Sequence, residues 1–145
     1  MKKIASYILI MCLVGVSAYA GISAIQEADT FAENALKTGS FPLAFQHSTT
    51  SPWKASGGKV QSTNKDDNSE GWFSTTFELT FNATLSFEWY VSSEGADALV
   101  FNVDGQDVNS ISGTAYNNFI EYTHMLVPGV HTLKWSYKKD GSSSQ

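Results

Sequence analysis

The sequence has 145 residues, a net charge of −5 and a pI near 5.0, and all nine of its basic residues are lysine. An acidic chain without arginine excludes the clustered basic face that tracks nucleic-acid phosphates. A single cysteine, Cys12, excludes an intrachain disulfide framework, so stability must come from a core.

The chain opens as an export leader. Lys2 and Lys3 form a basic start, residues 4–16 are an apolar run too short for a comfortable membrane span, and Ala18-Tyr19-Ala20 has the small-x-small form that a signal peptidase reads. Bulky Met11 before Cys12 argues against a lipoprotein signal. Cleavage before Gly21 leaves a domain of about 125 residues, without cysteine. Because only Lys2 and Lys3 leave as charged groups, the net charge falls from −5 to −7. The expected location is therefore secreted or cell-surface.

Residues 21–37 read as a lead-in segment with one turn of helix, since the apolar spacing of Ile25, Phe31, Ala32 and Leu36 is poor. Residues 41–45 and 52–53 are apolar but interrupted by Pro42 and Pro52, which suits edges and loops. From Lys59 onward the chain alternates strands with turns. Strands are expected at 59–62, 72–80, 84–92, 97–103, 108–111, 118–127 and 130–138, with turns at 64–71, 82, 94–96, 104–105, 112–113 and 128–129. Asp104-Gly105 is the sharpest hairpin signal. No αβ alternation interrupts this pattern, and the expected fold is an all-β, antiparallel two-sheet jelly-roll sandwich forming one domain over 21–145.

Alternation within the strands names the core. Leu85, Phe87, Trp89 and Val91 share one phase, as do Leu99, Phe101 and Val103, then Ile120, Tyr122, His124 and Leu126, and finally Leu133, Trp135 and Tyr137. The opposite phases still carry aromatic residues, as expected of a sandwich with a partly apolar outer face.

Four stretches in order resemble a known family. They are Leu85-Ser86-Phe87-Glu88-Trp89-Tyr90-Val91-Ser92-Ser93-Glu94, Asp97-Ala98-Leu99-Val100-Phe101-Asn102-Val103-Asp104-Gly105, Ile111-Ser112-Gly113, and 127–140 with its Val127-Pro128-Gly129 start and Lys139-Asp140 end. Together they resemble the MAM-like and cleaved-adhesin-like jelly-roll modules of bacterial secreted and surface proteins, within the concanavalin A-like lectin/glucanase architecture. The resemblance spans about residues 29 to 145. It implies the fold, and only a range of functions, because that architecture serves lectins, adhesins, glycosidases and spacers. It also implies a further strand after the Lys139-Asp140 turn. The expectation is thus a shortened module with an open sheet edge near residues 28–31, able to exchange or accept a strand.

Candidate chemistry is sparse. A glycosidase of this architecture carries an E-x-D-x-x-E strand, and no segment matches it; Glu88 reads as a solvent-side residue paired with Lys134 or Lys138. His47, His124 and His131 lack metal-ligand spacing, and His131 reads as a residue that hydrogen-bonds a turn backbone. Asp66, Asn68 and Glu70 place oxygens at alternate positions before Gly71, so calcium is the one candidate ion. The closing acid of such a loop falls on Phe77, which favours a solvated turn and no cofactor. Asn82-Ala83-Thr84 fits a glycosylation acceptor but reads as a turn.

Trp89 and Trp135 fall in the core phase, whereas Trp53 and Trp72 lie near loops and are the candidate sugar-stacking residues. The expected function is a non-enzymatic module that binds a glycan or a cell-surface protein. The alternatives are a shortened adhesin-like fragment without activity of its own and, less favoured, a glucanase-like hydrolase.

Overall fold

The computed structural model describes residues 5–14, 22–24, 43–56, 59–113 and 118–141. Eleven strands lie among them: β1 (Ala5–Val14), β2 (Ile22–Ala24), β3 (Gln46–His47), β4 (Lys54–Ser56), β5 (Lys59–Gln61), β6 (Glu70–Leu79), β7 (Ala83–Ser92), β8 (Ala98–Val103), β9 (Gln106–Ser112), β10 (Ile120–Leu126) and β11 (Gly129–Lys138). The first sheet has the order β10-β7-β1-β5-β4, the second β2-β6-β11-β8-β9, with β3 also on β6. Every pairing is antiparallel. The chain is an all-β two-sheet sandwich, as its alternation predicts. No helix long and apolar enough to cross a membrane occurs among the described residues.

The two sheets meet through their alternating apolar phases. On β7, Leu85, Phe87, Trp89 and Val91 are buried while the residues between them are not. Leu99 and Phe101 on β8 and Leu133, Trp135 and Tyr137 on β11 face them from the other sheet. Trp135 lies at the centre, stacked on Phe73 at 4.9 Å and 8°, with Phe87 edge-on at 5.3 Å. Phe87 also meets Phe101 edge-on at 4.9 Å, so β7, β8 and β11 are locked through rings of complementary geometry. All ten core-phase residues expected on β7, β8 and β11 are thus buried.

The turns are made by the residues that tolerate them. Asp104 and Gly105 both have positive φ, 53° and 86°, the pairing that a two-residue hairpin between β8 and β9 requires. Gly129, at φ 141°, opens β11 after Pro128. The strand bounds differ from the expected ones by a few residues. β6 starts at Glu70 because the Glu70 and Gly71 backbones still pair with Lys138 and Tyr137.

Two segments depart from the sequence reading. In the lead-in segment, Ile22–Ala24 is a short strand against β6, while the helical turn expected around Ile25, Phe31, Ala32 and Leu36 and the edge expected at 28–31 lie outside the described residues. Residues 5–14, the centre of the leader run, form β1 between β7 and β5.

Candidate functional site

The four tryptophans sort into three interior residues and one at the surface. Trp53, Trp89 and Trp135 are at most 2% exposed, while Trp72 is half-buried. Trp53 packs edge-on against Phe73 at 4.9 Å, and its indole nitrogen is buried without a hydrogen-bond partner. Its place near a loop is therefore no sign of exposure, and its ring is not open to a sugar. The chain around Pro52 folds inward there, capping the sandwich with an aromatic side chain.

Trp72 sits on β6 in the phase opposite to buried Phe73, so it projects from the outer face of the second sheet. Its backbone N–H donates to the Ser48 hydroxyl at 3.1 Å and its carbonyl accepts from the Ser48 N–H at 2.9 Å, which ties its main chain to the segment that runs beside β6. The Lys134 ammonium lies 5.4 Å from the indole centroid and 3.2 Å from Glu70 Oε1. Burial works to raise the Glu70 pKa, but the Ser136 and Lys134 hydrogen bonds outweigh it and hold the carboxyl below its ordinary 4.5.

Along the same sheet, Lys138 Nζ reaches Asp107 Oδ2 at 3.4 Å and Asn102 Nδ2 donates to Asp107 Oδ1 at 3.0 Å. The Asn102 hydrogen bond, then the Lys138 charge, hold the Asp107 carboxyl below 3.8. The Thr76 and Thr132 hydroxyls meet at 3.0 Å. This face therefore offers one aromatic surface among ammonium, carboxylate, amide and hydroxyl groups. Such a set can pack the C–H side of a sugar ring and hydrogen-bond its hydroxyls.

In the loop of Asp66, Asn68 and Glu70, the backbone at the first two positions shapes the turn, and the third turns its side chain elsewhere. Asn68, at φ 54°, donates its backbone N–H to the Asp140 carbonyl at 2.7 Å. The Asp66 carbonyl accepts from the Ser69 hydroxyl, and the Glu70 carboxylate is turned onto Lys134. Glu70 is already a strand residue, so alternation carries it away from the loop.

A different group of acids converges. Carboxylate oxygens of Glu94, Asp97 and Asp140 lie within 4.8 Å of one another. Buried Asp97 accepts from Lys139 Nζ at 2.9 Å, Tyr137 Oη at 3.1 Å and the Asp140 N–H at 3.1 Å. The buried Lys139 ammonium pairs with Asp97, an internal ion pair that closes β8 onto β11 beside Glu94 and Asp140. A signal for it exists in the sequence. Asp97 continues the apolar phase of 99, 101 and 103, and Lys139 continues that of 133, 135 and 137. Two opposite charges in the core phases of neighbouring strands must pair or unfold the edge.

His131 bonds the turn as its position suggests. Its Nε2 lies 2.7 Å from the Val127 carbonyl and its Nδ1 2.7 Å from Asp104 Oδ2, while Asp104 Oδ1 accepts from the Thr132 N–H at 2.7 Å. Glu88 does not pair with Lys134 or Lys138. Those lysines belong to the second sheet and reach Glu70 and Asp107, whereas Glu88 lies on the outer face of the first, opposite Glu121 in register. No family model, curated protein or solved structure matches the chain.

Proposed function

We propose that the chain is a secreted or cell-surface module that binds carbohydrate without turning it over, on the outer face of β6, β11 and β8 around Trp72. The observation that carries this reading is that Trp72 is the one tryptophan outside the core and stands beside Lys134, which pairs with Glu70, while Asn102 and Asp107 lie further along the same sheet. The export-type leader and the resemblance to adhesin-like jelly-roll modules support the location and the class. The absence of an E-x-D-x-x-E strand from the sequence supports binding over hydrolysis.

A glycan array with the exported protein, run beside a reducing-sugar assay, tests it. The wild type is expected to bind a defined glycan group and release no sugar. Trp72→Ala is expected to weaken binding at least about tenfold, equivalent to about 1.4 kcal/mol. Because Trp72 is half-buried and lies outside the core, this change should lower the melting temperature less than Trp135→Ala does. Equal binding by the variant moves the site elsewhere. Binding of no glycan favours a protein ligand or an inactive fragment, and sugar release makes the chain a hydrolase.

A further inference from the structure

Residues 5–14 are claimed twice. By sequence they are the apolar centre of a leader removed before Gly21; in the fold they are β1, the middle strand of the first sheet. β1 pairs with β7 from Ala5↔Ser92 to Val14↔Thr84 and with β5 at Tyr7↔Gln61 and Ile8↔Val60. A cleaved leader cannot stay in that place as part of the chain. We propose that cleavage opens a slot one strand wide between β7 and β5, and that the exported domain fills it with an extended segment donated by a partner polypeptide. This rests on the export reading above but not on the ligand proposed for Trp72.

The neighbours of the slot need an occupant. β7 carries Leu85, Phe87, Trp89 and Val91, and β5 carries Val60, none more than 1% exposed. Without β1, the flanks of these side chains meet water and the β7 edge presents a row of unpaired N–H and C=O groups. Hydrogen-bonded strands lie about 4.8 Å apart, so β7 and β5 stand roughly 9.6 Å apart across the slot. That admits one free strand. It does not admit the edge strand of a second copy, which arrives with its own sheet attached. A loose segment of another polypeptide is the occupant that fits.

The register states what that segment must be. It runs antiparallel to β7 for about ten residues. Its positions opposite the buried Val91, Trp89, Phe87 and Leu85 are those that Ser6, Ile8, Met11 and Leu13 occupy in register here, and an occupant's residues there ask to be apolar. One extra residue falls between the partners of Trp89 and Phe87, since three steps from Ile8 to Met11 match two on β7. Without that bulge the second half would present the opposite face. The intervening positions face Ser92, Tyr90, Ser86 and Thr84, with the Glu88 carboxylate beside the bulge. Affinity then comes from main-chain bonds to both neighbours, and selectivity from the alternate apolar positions.

The test starts from the full chain expressed with its leader, the exported fraction being collected and its mass measured. The probe is a synthetic peptide of residues 5–14 with Cys12→Ser and lysine tails for solubility. Added at a hundredfold excess over its Kd, it is expected to raise the melting temperature by roughly 10 °C. It should also slow hydrogen exchange at the β7 amides directed toward β1 at least tenfold. A peptide with Ile8→Asp and Leu13→Asp should do neither, while one with Tyr7→Asp should still bind. Should the exported domain accumulate poorly, co-export of the segment on a carrier protein should raise its soluble yield. The proposal fails if both Asp peptides behave alike, or if the exported domain ignores the peptide and its β7 amides are already protected. It fails also if co-export leaves a poor yield unchanged, or if the product retains residues 5–14. Glycan binding is read on the other sheet, so either proposal can fail alone.

Discussion

Lys139 and Asp97 show how much one buried pair can decide. Both are almost without solvent contact, and the carboxylate is satisfied by the ammonium, the Tyr137 hydroxyl and the Asp140 N–H. Lys139→Met keeps the volume but leaves the carboxylate short of its counter-charge, so the fold is expected to lose about 3–5 kcal/mol, read from the urea midpoint. Trp135→Ala removes the ring stacked on Phe73 and edged by Phe87, again an expected loss of about 3–5 kcal/mol. The tryptophan was legible in the sequence because its phase is unbroken from Leu133 to Tyr137. The lysine lies in that same phase, but a charged residue beside a turn reads as solvated unless its neighbour strand is known to carry an acid there. Trp53 misled for the same reason: proximity to Pro52 says where the chain bends, not which way the indole points.

At the scale of elements, long strands and tight turns could be read because their signals are local. β7, β8 and β11 announce themselves by alternation, and the β8–β9 hairpin by Asp104-Gly105. β3, β4 and the pairing of β2 with β6 could not be read, because strands of two or three residues are defined by their partners and not by any period of their own. Gly71 belongs to this hidden layer. The segment containing Ser48 and Ser51 is tied to β6 at Trp72, whose carbonyl accepts from the Ser48 N–H and whose N–H donates to the Ser48 hydroxyl, and that hydroxyl donates in turn to the Ser51 carbonyl at 2.6 Å. A Cβ at position 71 would meet that carbonyl oxygen at 2.7 Å. Gly71→Ala is therefore expected to cost about 1–3 kcal/mol by overpacking, measured as a lower urea midpoint. Gly95→Ala, where a Cβ meets nothing within 4 Å, serves as the control and should be close to neutral.

For the whole molecule, the sandwich follows from the sequence, but the order of strands within each sheet does not, and that order places β1 between β7 and β5 and the ionic groups on the outer face of the second sheet. Those groups and the buried phenol set opposite pH limits on stability. Glu70 and Asp107 have carboxyl pKa values held below the ordinary 4.5 and 3.8. Their contribution is fully present above those ordinary values and is lost as the pH falls through the lower folded ones. Tyr137 acts in the other direction. Burial, then the negative charge of Asp97, raise its pKa well above the ordinary 10. Below pH 10 the phenol is protonated whether the chain is folded or not, and its contribution is complete. Above pH 10 the unfolded chain releases the proton that the folded one keeps, so stability falls with each further unit. A melting-temperature profile is thus expected to be level between about pH 5 and 9.5 and to drop on both sides. Glu70→Gln should make the acid limb shallower. Tyr137→Phe should lower stability at pH 7 by roughly 1.5–3 kcal/mol, because it removes a buried hydrogen bond to a carboxylate. It should also flatten the alkaline limb relative to the wild type, and an alkaline limb of unchanged steepness would assign the loss above pH 10 to other groups.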